Sequence, residues 1–570
     1  MKPLLGKGQD PAFWAEVRES ERYRKEREAL LARWETEAKT AIPPLTYSAY
    51  RRFVADGDRA TYETPYFHRR RSMAVAAVLA LIYPEREEYL VQLMDLIYAV
   101  CDEYTWCLPA HQTELGKNNN CHIDLFAAET GMALSEIYTM LKDRVEPLIA
   151  DRIRVEVERR IVTPYLETHY FWETCRMNWA AVCAGSVGCT FMLMRPELMP
   201  RVSERIKGAM EAFLLGFGPD GICEEGFSYW SYGFGFFTVW ADMLRTFTEG
   251  EENWFKRKTV KAVAPFLSRM YLTGACTVSF SDAGRSGRYN PGVLHYLKRE
   301  YPDAVTVPDP RYTEMIDGCG RWCTFLRSFT WTDPACVPAE NATEAMTYYA
   351  PSVSWLVKRG SAYSFAAKGG HNAEPHNHHD VGSFLLAKNG HQILTDPGSG
   401  VYTRQYFSSP RYTYVSCGSH GHSVPYFGTD EDRAARGFFY GYQKDGGRYA
   451  ARDVSFEGDV FSMDIAPAYG EEDVRRVTRR FVFGADGVAL RDEFDVAEGL
   501  PITERFVSLY PYEIAEGRVS TECVSLLFDP AVCEISTSVG DFRPEEPVYF
   551  LDLRLKAGVS AFEIRFVPEA

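Results

Sequence analysis

Apolar residues recur every three or four positions through roughly the first 325 residues, then at every second position from about residue 350 onward. That change of period is the main division in the chain. Helices are predicted within residues 13–40, 74–101, 123–141 and 202–214, with glycine and proline falling mainly between the runs. The stretch Asn178–Met194, rich in Ala, Gly, Ser and Cys, predicts a helix packed closely on all sides. Past a polar, proline-containing passage at 330–351, strands are predicted within 352–368, 382–395, 448–466 and 474–494, bounded by Gly, Asp or Asn turns. Helices of similar length joined by polar aromatic loops predict an (α/α) toroid, complete or partial. The expected fold class is therefore multidomain α+β. An N-terminal (α/α) toroid, an incomplete barrel, is expected over residues 1–340, and a C-terminal antiparallel β-sandwich carrying a metal site over 341–570.

Composition narrows the function. At 570 residues the chain exceeds one ordinary core. The formal charge of −15 argues against nucleic acid as a partner, because phosphate neutralisation needs a broad basic surface. An anionic substrate must then meet a local basic pocket. With 34 Tyr, 35 Phe and 11 Trp, aromatic residues exceed what a core requires and suit the stacking of sugar rings. Residues 1–28 carry charge in place of an apolar signal region, and the longest apolar run, 73–83, is too short to span a bilayer. The 14 cysteines form no regular framework and read as reduced thiols. These features predict a cytoplasmic protein with no membrane partner. No internal repeat is visible, and oligomeric state is not legible.

Candidate chemistry concentrates between His371 and His422, which hold seven of the twelve histidines. His376 and His378, at i and i+2, would share one face of an extended backbone. Asp396, in Leu394-Thr395-Asp396-Pro397-Gly398, and His422 follow. Two imidazoles and a carboxylate drawn from the His376, His378, Asp396 and His422 set suit a borderline divalent ion such as zinc. His379, Asp380, Cys417 and His420 lie close enough in sequence to leave the ligand set open. A second constellation, Asp220 to Gly233, is dense in acids, aromatics and glycine. Within it, Glu224 or Glu225 could be a glycosidase carboxylate, and Tyr229 or Tyr232 could transfer protons. A third, Arg176-Met177-Asn178-Trp179, precedes the small-residue helix; Asn178 reads as an N-cap, with or without a bound anion. In the fourth, His111 and His122 flank an Asn118-Asn119-Asn120 stretch as substrate contacts or as structural residues.

Taken together, Asn178-Trp179, Glu225-Gly226-Phe227-Ser228-Tyr229, His376-Asn377-His378-His379-Asp380, Thr395-Asp396-Pro397-Gly398 and Gly421-His422-Ser423-Val424 resemble the heparinase II/III superfamily of polysaccharide lyases. The motifs follow that family's order along nearly the whole chain. The resemblance implies a toroid and a sandwich with a cleft for an acidic polysaccharide or oligosaccharide. It also implies β-elimination to a 4,5-unsaturated uronate from a heparan, hyaluronan, chondroitin or alginate-type glycan, with an exolytic mode favoured. It assigns Asn178 to the uronate carboxylate, Tyr229 and His376 to catalysis, and His378, Asp396 and His422 to a structural zinc. Arg176, Trp179, Glu225, His111 and Arg411 are then candidate substrate contacts. Many relatives place a histidine at or beside Asn178, where this chain has Trp179. The competing expectations are a uronyl C5-epimerase, a glycoside hydrolase on the same toroid and a non-catalytic glycan-binding protein.

Overall fold

The computed structural model describes residues 3–112, 120–337, 345–515, 518–543 and 546–569. The expected boundary near 340 and residues Asn118 and Asn119 lie outside these. Contacts group the chain into two units that are not contiguous in sequence. The first comprises residues 1–216, 231–264 and 289–337; the second comprises 217–230, 265–288 and 338–570. Two segments N-terminal to residue 340 thus belong with the strands, a grouping that sequence period does not reveal.

The first unit is helical. Ala60–Ile82, Glu87–Cys101, Leu125–Leu141, Asn178–Met194 and Met199–Leu214 follow the predicted runs. Short connections, such as the one from Ile82 to Glu87, force neighbours to run antiparallel. The Asn178–Met194 helix packs between Leu125–Leu141 and Met199–Leu214, and residues 180–192 are all buried. Its small residues make this possible: a side chain at Gly188 would meet the Trp240 ring 2.9 Å away. The late helix Trp322–Thr330 packs back onto Ala60–Ile82 and Leu125–Leu141. There Arg327 and the Trp322 indole both donate to the buried Glu136 carboxylate, at 2.6 and 2.9 Å. The helical succession therefore curls back on itself as an (α/α) toroid.

Two large antiparallel sheets dominate the second unit, beside the two-stranded pairs Tyr271–Thr273 with Cys276–Thr277 and His371–Asn372 with Gly446–Ala450. Each predicted strand region is a hairpin or a pair of paired strands: Trp355–Arg359 with Ser364–Lys368, Phe384–Lys388 with His391–Leu394, and Val474–Gly484 with Gly487–Val496. One sheet has eight strands and runs from Arg452–Glu457 through the Val474–Val496 hairpin to Tyr512–Ala515. The other has nine and contains the 355–394 hairpins together with Ile502–Ser508 and Glu546–Leu555. Alternating inward residues from both sheets form one core. Phe384 lies 5.2–5.6 Å from the rings of Phe365, Phe481 and Phe566, so truncating it to Ala would cost about 3–5 kcal/mol. The core also encloses an ion cluster. Arg479 donates to Asp492 and Glu504 and, through Nη1, to the carbonyls of Gly382 and Ser423, fixing the residue beside His422.

Candidate active site and metal cluster

Three segments of the second unit build the site: 223–229, 279–284 and 376–422. Ser281 Oγ donates to the Glu224 carbonyl at 2.8 Å, pinning the second segment to the first. Gly226, at φ +96°, leaves room for that contact, since a Cβ there would lie 2.8 Å from Ala283 Cβ. Ser279 Oγ donates to the Asp396 carbonyl at 3.0 Å. Gly398, at φ +73°, brings its backbone so close to Ala283 that a Cβ would lie 2.3 Å from the Ala283 oxygen. The Asp-Pro-Gly turn therefore serves as a docking face for the 279–284 loop.

At the centre is Asp282, whose side chain is wholly buried. Its Oδ2 lies 2.9 Å from His376 Nδ1 and its Oδ1 lies 3.2 Å from His378 Nε2. Arg411 Nη2 donates to both oxygens at 3.0 Å, and the Tyr406 hydroxyl donates to Oδ1. Burial alone would raise this carboxyl. The hydrogen bonds from His376 and His378 and the Arg411 charge outweigh it and hold Asp282 well below the ordinary carboxylate range. An ionised carboxylate only accepts, so each imidazole donates to it through the nitrogen that faces it.

His376 and His378 thus converge on one place, but not across a strand face as their spacing predicted. His376 occupies the left-handed region at φ +58° in a turn after the short His371–Asn372 strand. A non-glycine residue bears a steric cost there, and the Asp282 contact together with the bond from Arg411 Nη2 to the His376 carbonyl holds it. The His376 ring stacks on Tyr229, with centroids 4.3 Å apart, and its Nε2 lies 3.6 Å from Glu225 Oε1. The Tyr229 hydroxyl lies 3.0 Å from that of Tyr402. Burial pushes the Tyr229 phenol above its ordinary value, so it stands as a protonated donor.

Arg411 departs from its expected role as a substrate contact. Its nitrogens are occupied by Asp282 and by the carbonyls of His376, Asn377 and Tyr406, and it lies 8% exposed. Sequence reading missed Asp282, Tyr402 and Tyr406. The Ser279-Phe280-Ser281-Asp282-Ala283-Gly284 loop carried only its small-residue composition as a signal, and the two tyrosines sat unremarked after Asp396-Pro397-Gly398.

Next to Asp282 is a closed donor set. Donor atoms of His378, Asp380, Asp396 and His422 lie within 4.8 Å of one another, and all four residues are fully buried. Among the described residues, His378 Nδ1 and Asp380 Oδ2 have no hydrogen-bond partner, whereas Asp380 Oδ1 sits 2.9 Å from the buried Lys368 ammonium. His422 Nε2 must donate to the Ser416 carbonyl at 3.1 Å, so the other nitrogen, Nδ1, faces Asp396 Oδ2 at 3.1 Å. Two lone-pair groups at that distance require a proton or a cation between them. The His378–Asp282 and His422–Ser416 bonds are also the outer-shell bonds that orient imidazole ligands. The cluster fits a divalent ion, with Asp380 added to the three expected ligands. Cys417 forms an alternative grouping with Asp282 and His378.

The remaining candidates lie in the helical unit. Met177, not Asn178, is the N-cap, one residue earlier than expected, and Asn178 is the first helical residue. Asn178 is buried and packs against Gly233. Arg176 is exposed, and its carbonyl abuts Gly216. His111 and Trp179 meet edge to face at 4.9 Å, His111 Nδ1 lies 2.7 Å from Asp124 Oδ2, and its ring stacks on Phe126. His122 packs near Tyr170. Tyr232 is distinct from Tyr229: its hydroxyl donates to Glu129 and Arg321 covers its ring at 3.8 Å. Burial pushes Glu129 up to about 7, against the pull of Arg321.

No helix among the described residues is long and apolar enough to cross a membrane. No protein-family model and no curated protein matches the sequence. Solved structures do match in fold. A heparinase III aligns over 98% of this chain and 92% of its own, at 13% identity and a TM-score of 0.61. The chondroitin AC lyase of Streptomyces coelicolor A3, in complex with chondroitin sulphate, aligns over 98% and 82% at 13% identity and a TM-score of 0.55. The heparan sulfate lyase HepC of Pedobacter heparinus aligns over 96% and 89% at 13% identity and a TM-score of 0.52. The chain therefore has the multidomain fold of these glycosaminoglycan lyases, a helical toroid followed by an antiparallel β-sandwich.

Proposed function

We propose that this protein is a polysaccharide lyase that cleaves a uronic-acid-containing glycan by β-elimination. The observation that carries the reading is the stacked pair His376 and Tyr229, one holding a lone pair and the other a proton. Asp282 fixes His376 with its proton on Nδ1, so Nε2 takes the C5 proton of a bound uronate. The C4–O4 bond then breaks, Tyr229 gives its proton to the departing O4, and a C4=C5 double bond forms without water. Transfer of the collected proton from His376 to Tyr229, directly or through solvent, resets the pair. Tyr402, bonded to Tyr229, orients the phenol. The tyrosine is thus assigned as the acid, because burial disfavours the phenolate it would need as a base.

The likeness in fold to heparinase III, a heparan sulfate lyase and a chondroitin AC lyase supports this reaction class. The uronate-binding role of Asn178 rests on the sequence motif. A divalent ion held by His378, Asp380, Asp396 and His422 would supply a structural cross-link between the segments carrying these residues. Exolytic action on short oligosaccharides suits the −15 charge. The test is incubation with uronate polymers and oligosaccharides while following the ultraviolet absorbance of the conjugated product. A rise on one substrate class establishes the lyase; proton exchange at C5 without absorbance would replace it with an epimerase.

A further inference from the structure

The turn Asp396-Pro397-Gly398 leads into a loop that carries Tyr402, Tyr406 and Phe407, and the last has no part in the reaction above. Phe407 is 47% exposed and sits at the catalytic pair: its ring meets the His376 imidazole edge to face, with centroids 6.2 Å apart. Tyr402 and Tyr406 meet the same ring edge to face at 4.9 and 5.4 Å. A scattered exposed aromatic needs no explanation. One braced by two tyrosines and set beside the proposed base keeps apolar surface open where a substrate of that base must lie.

The position of Phe407 is fixed through its neighbour. Phe407 ends the helical turn Gln405–Phe407, and Tyr406 within that turn is wholly buried. The Tyr406 hydroxyl donates to Asp282 and accepts from the Gly400 N–H at 3.0 Å, while its carbonyl accepts from Arg411 Nη1 at 3.2 Å. The Ser408 N–H closes the turn on the Gln405 carbonyl at 3.1 Å. Asp282 thus anchors His376 directly and Phe407 through Tyr406. The exposed ring is in place before a ligand arrives, so stacking on it costs little ordering.

We propose that Phe407 is a sugar-stacking platform that takes the apolar C–H face of the pyranose ring bonded to the reacting uronate. The electron-rich face of the phenyl ring attracts the weakly positive C–H groups of a pyranose, and the contact needs no charge on the sugar. This deepens the lyase reading by assigning the place of the next ring, and it rests on that reading for which ring reacts. Stacking is made alike before and during bond breaking, so Phe407 acts on binding and not on the chemical step.

The test measures binding and turnover separately in the full chain. Tetrasaccharides of the heparan, hyaluronan, chondroitin and alginate types are titrated calorimetrically into a Tyr229→Phe protein. The one that binds most tightly is then titrated into the same protein carrying Phe407→Ala or Phe407→Trp. The expected result is a Kd about tenfold weaker with Ala and within about threefold of the parent with Trp, which keeps an aromatic face. With Tyr229 restored, the loss in kcat/KM of Phe407→Ala falls mainly on KM. An unchanged Kd with Ala, equal losses with Ala and Trp, or no binding of any of the four by the Tyr229→Phe protein overturns the platform. A fall in kcat at unchanged Kd overturns it too and makes Phe407 a support for His376. Thermal melts check that each variant folds; Phe407→Leu, with the same expected loss, replaces an Ala variant that does not. A tenfold loss of binding, in a protein whose Tyr229-containing form makes no unsaturated product, upholds the platform and overturns the lyase reading instead.

Discussion

Asp282 Oδ2 lies 2.9 Å from His376 Nδ1, and this contact sets which nitrogen of the imidazole carries the proton. The same carboxylate meets His378 through its other oxygen, so one buried aspartate orients both the proposed base and a proposed metal ligand. With Arg411 and Tyr406 also on Asp282, all four side chains described as bonding this carboxylate come from the 376–411 stretch.

Replacing Asp282 by Asn should abolish that order. The amide can offer His376 a donor in place of an acceptor, and it leaves Arg411 buried without its counter-charge, which costs about 3–5 kcal/mol. The expected outcome is a lower melting temperature and a fall in kcat of at least about 100-fold, exceeding any change in KM. Parallel thermal melts and steady-state kinetics check it, and a purely structural role would move stability without the kcat loss in the folded fraction.

Tyr229→Phe removes the proposed acid while keeping the ring that stacks on His376. Product formation should fall by about 10²–10⁴-fold with little change in melting temperature. Glu224→Gln should retain activity; the reverse pattern would favour a hydrolase, with Glu224, which burial pushes up to about 7, as its acid.

Removing the proposed ion should act on the second unit as a whole. His378→Ala or Asp380→Ala should lower both the bound-metal content, read by elemental analysis, and the melting temperature, together with activity. Chelation of the unsubstituted protein should do the same. Lost activity at an unchanged melting temperature would point to a metal that acts in the chemistry.

Glu129 predicts a pH dependence of stability. Its carboxyl titrates near 4.5 unfolded and about 7 folded, so between those values the folded protein holds more protons than the unfolded chain. Its contribution is therefore present in full below about pH 4.5 and is lost as pH rises to about 7. The loss is about 3 kcal/mol, from 1.36 kcal/mol per unit. Glu129→Gln should flatten that part of the curve when urea unfolding is measured across pH 4.5–8.

Much of this was legible in the sequence. The helix period marks Leu125–Leu141 and Asn178–Met194 because each buries a face or its whole surface, and the two-residue period marks the 355–394 and 474–496 hairpins because one face of each meets the core. His376, Tyr229 and the candidate ligands His378, Asp396 and His422 stood out in the sequence because each lies in a short segment of distinctive composition. Asp282 was not. It lies 94 residues from His376, in a loop with no periodicity, and its role exists only once Ser281, Gly226 and Gly398 dock that loop against its neighbours. The same holds for Arg411, a candidate substrate contact by charge alone until packing surrounds it with carbonyls and a carboxylate. Spacing placed His376 and His378 on a strand face, whereas a left-handed turn and a shared counter-ion bring them together. Local pattern thus determined which segments fold and which chemistry they carry. Tertiary contact alone decided hydrogen-bond partners, the grouping of buried donor atoms and counter-charge, because burial and hydrogen bonding depend on residues that the chain supplies from far away.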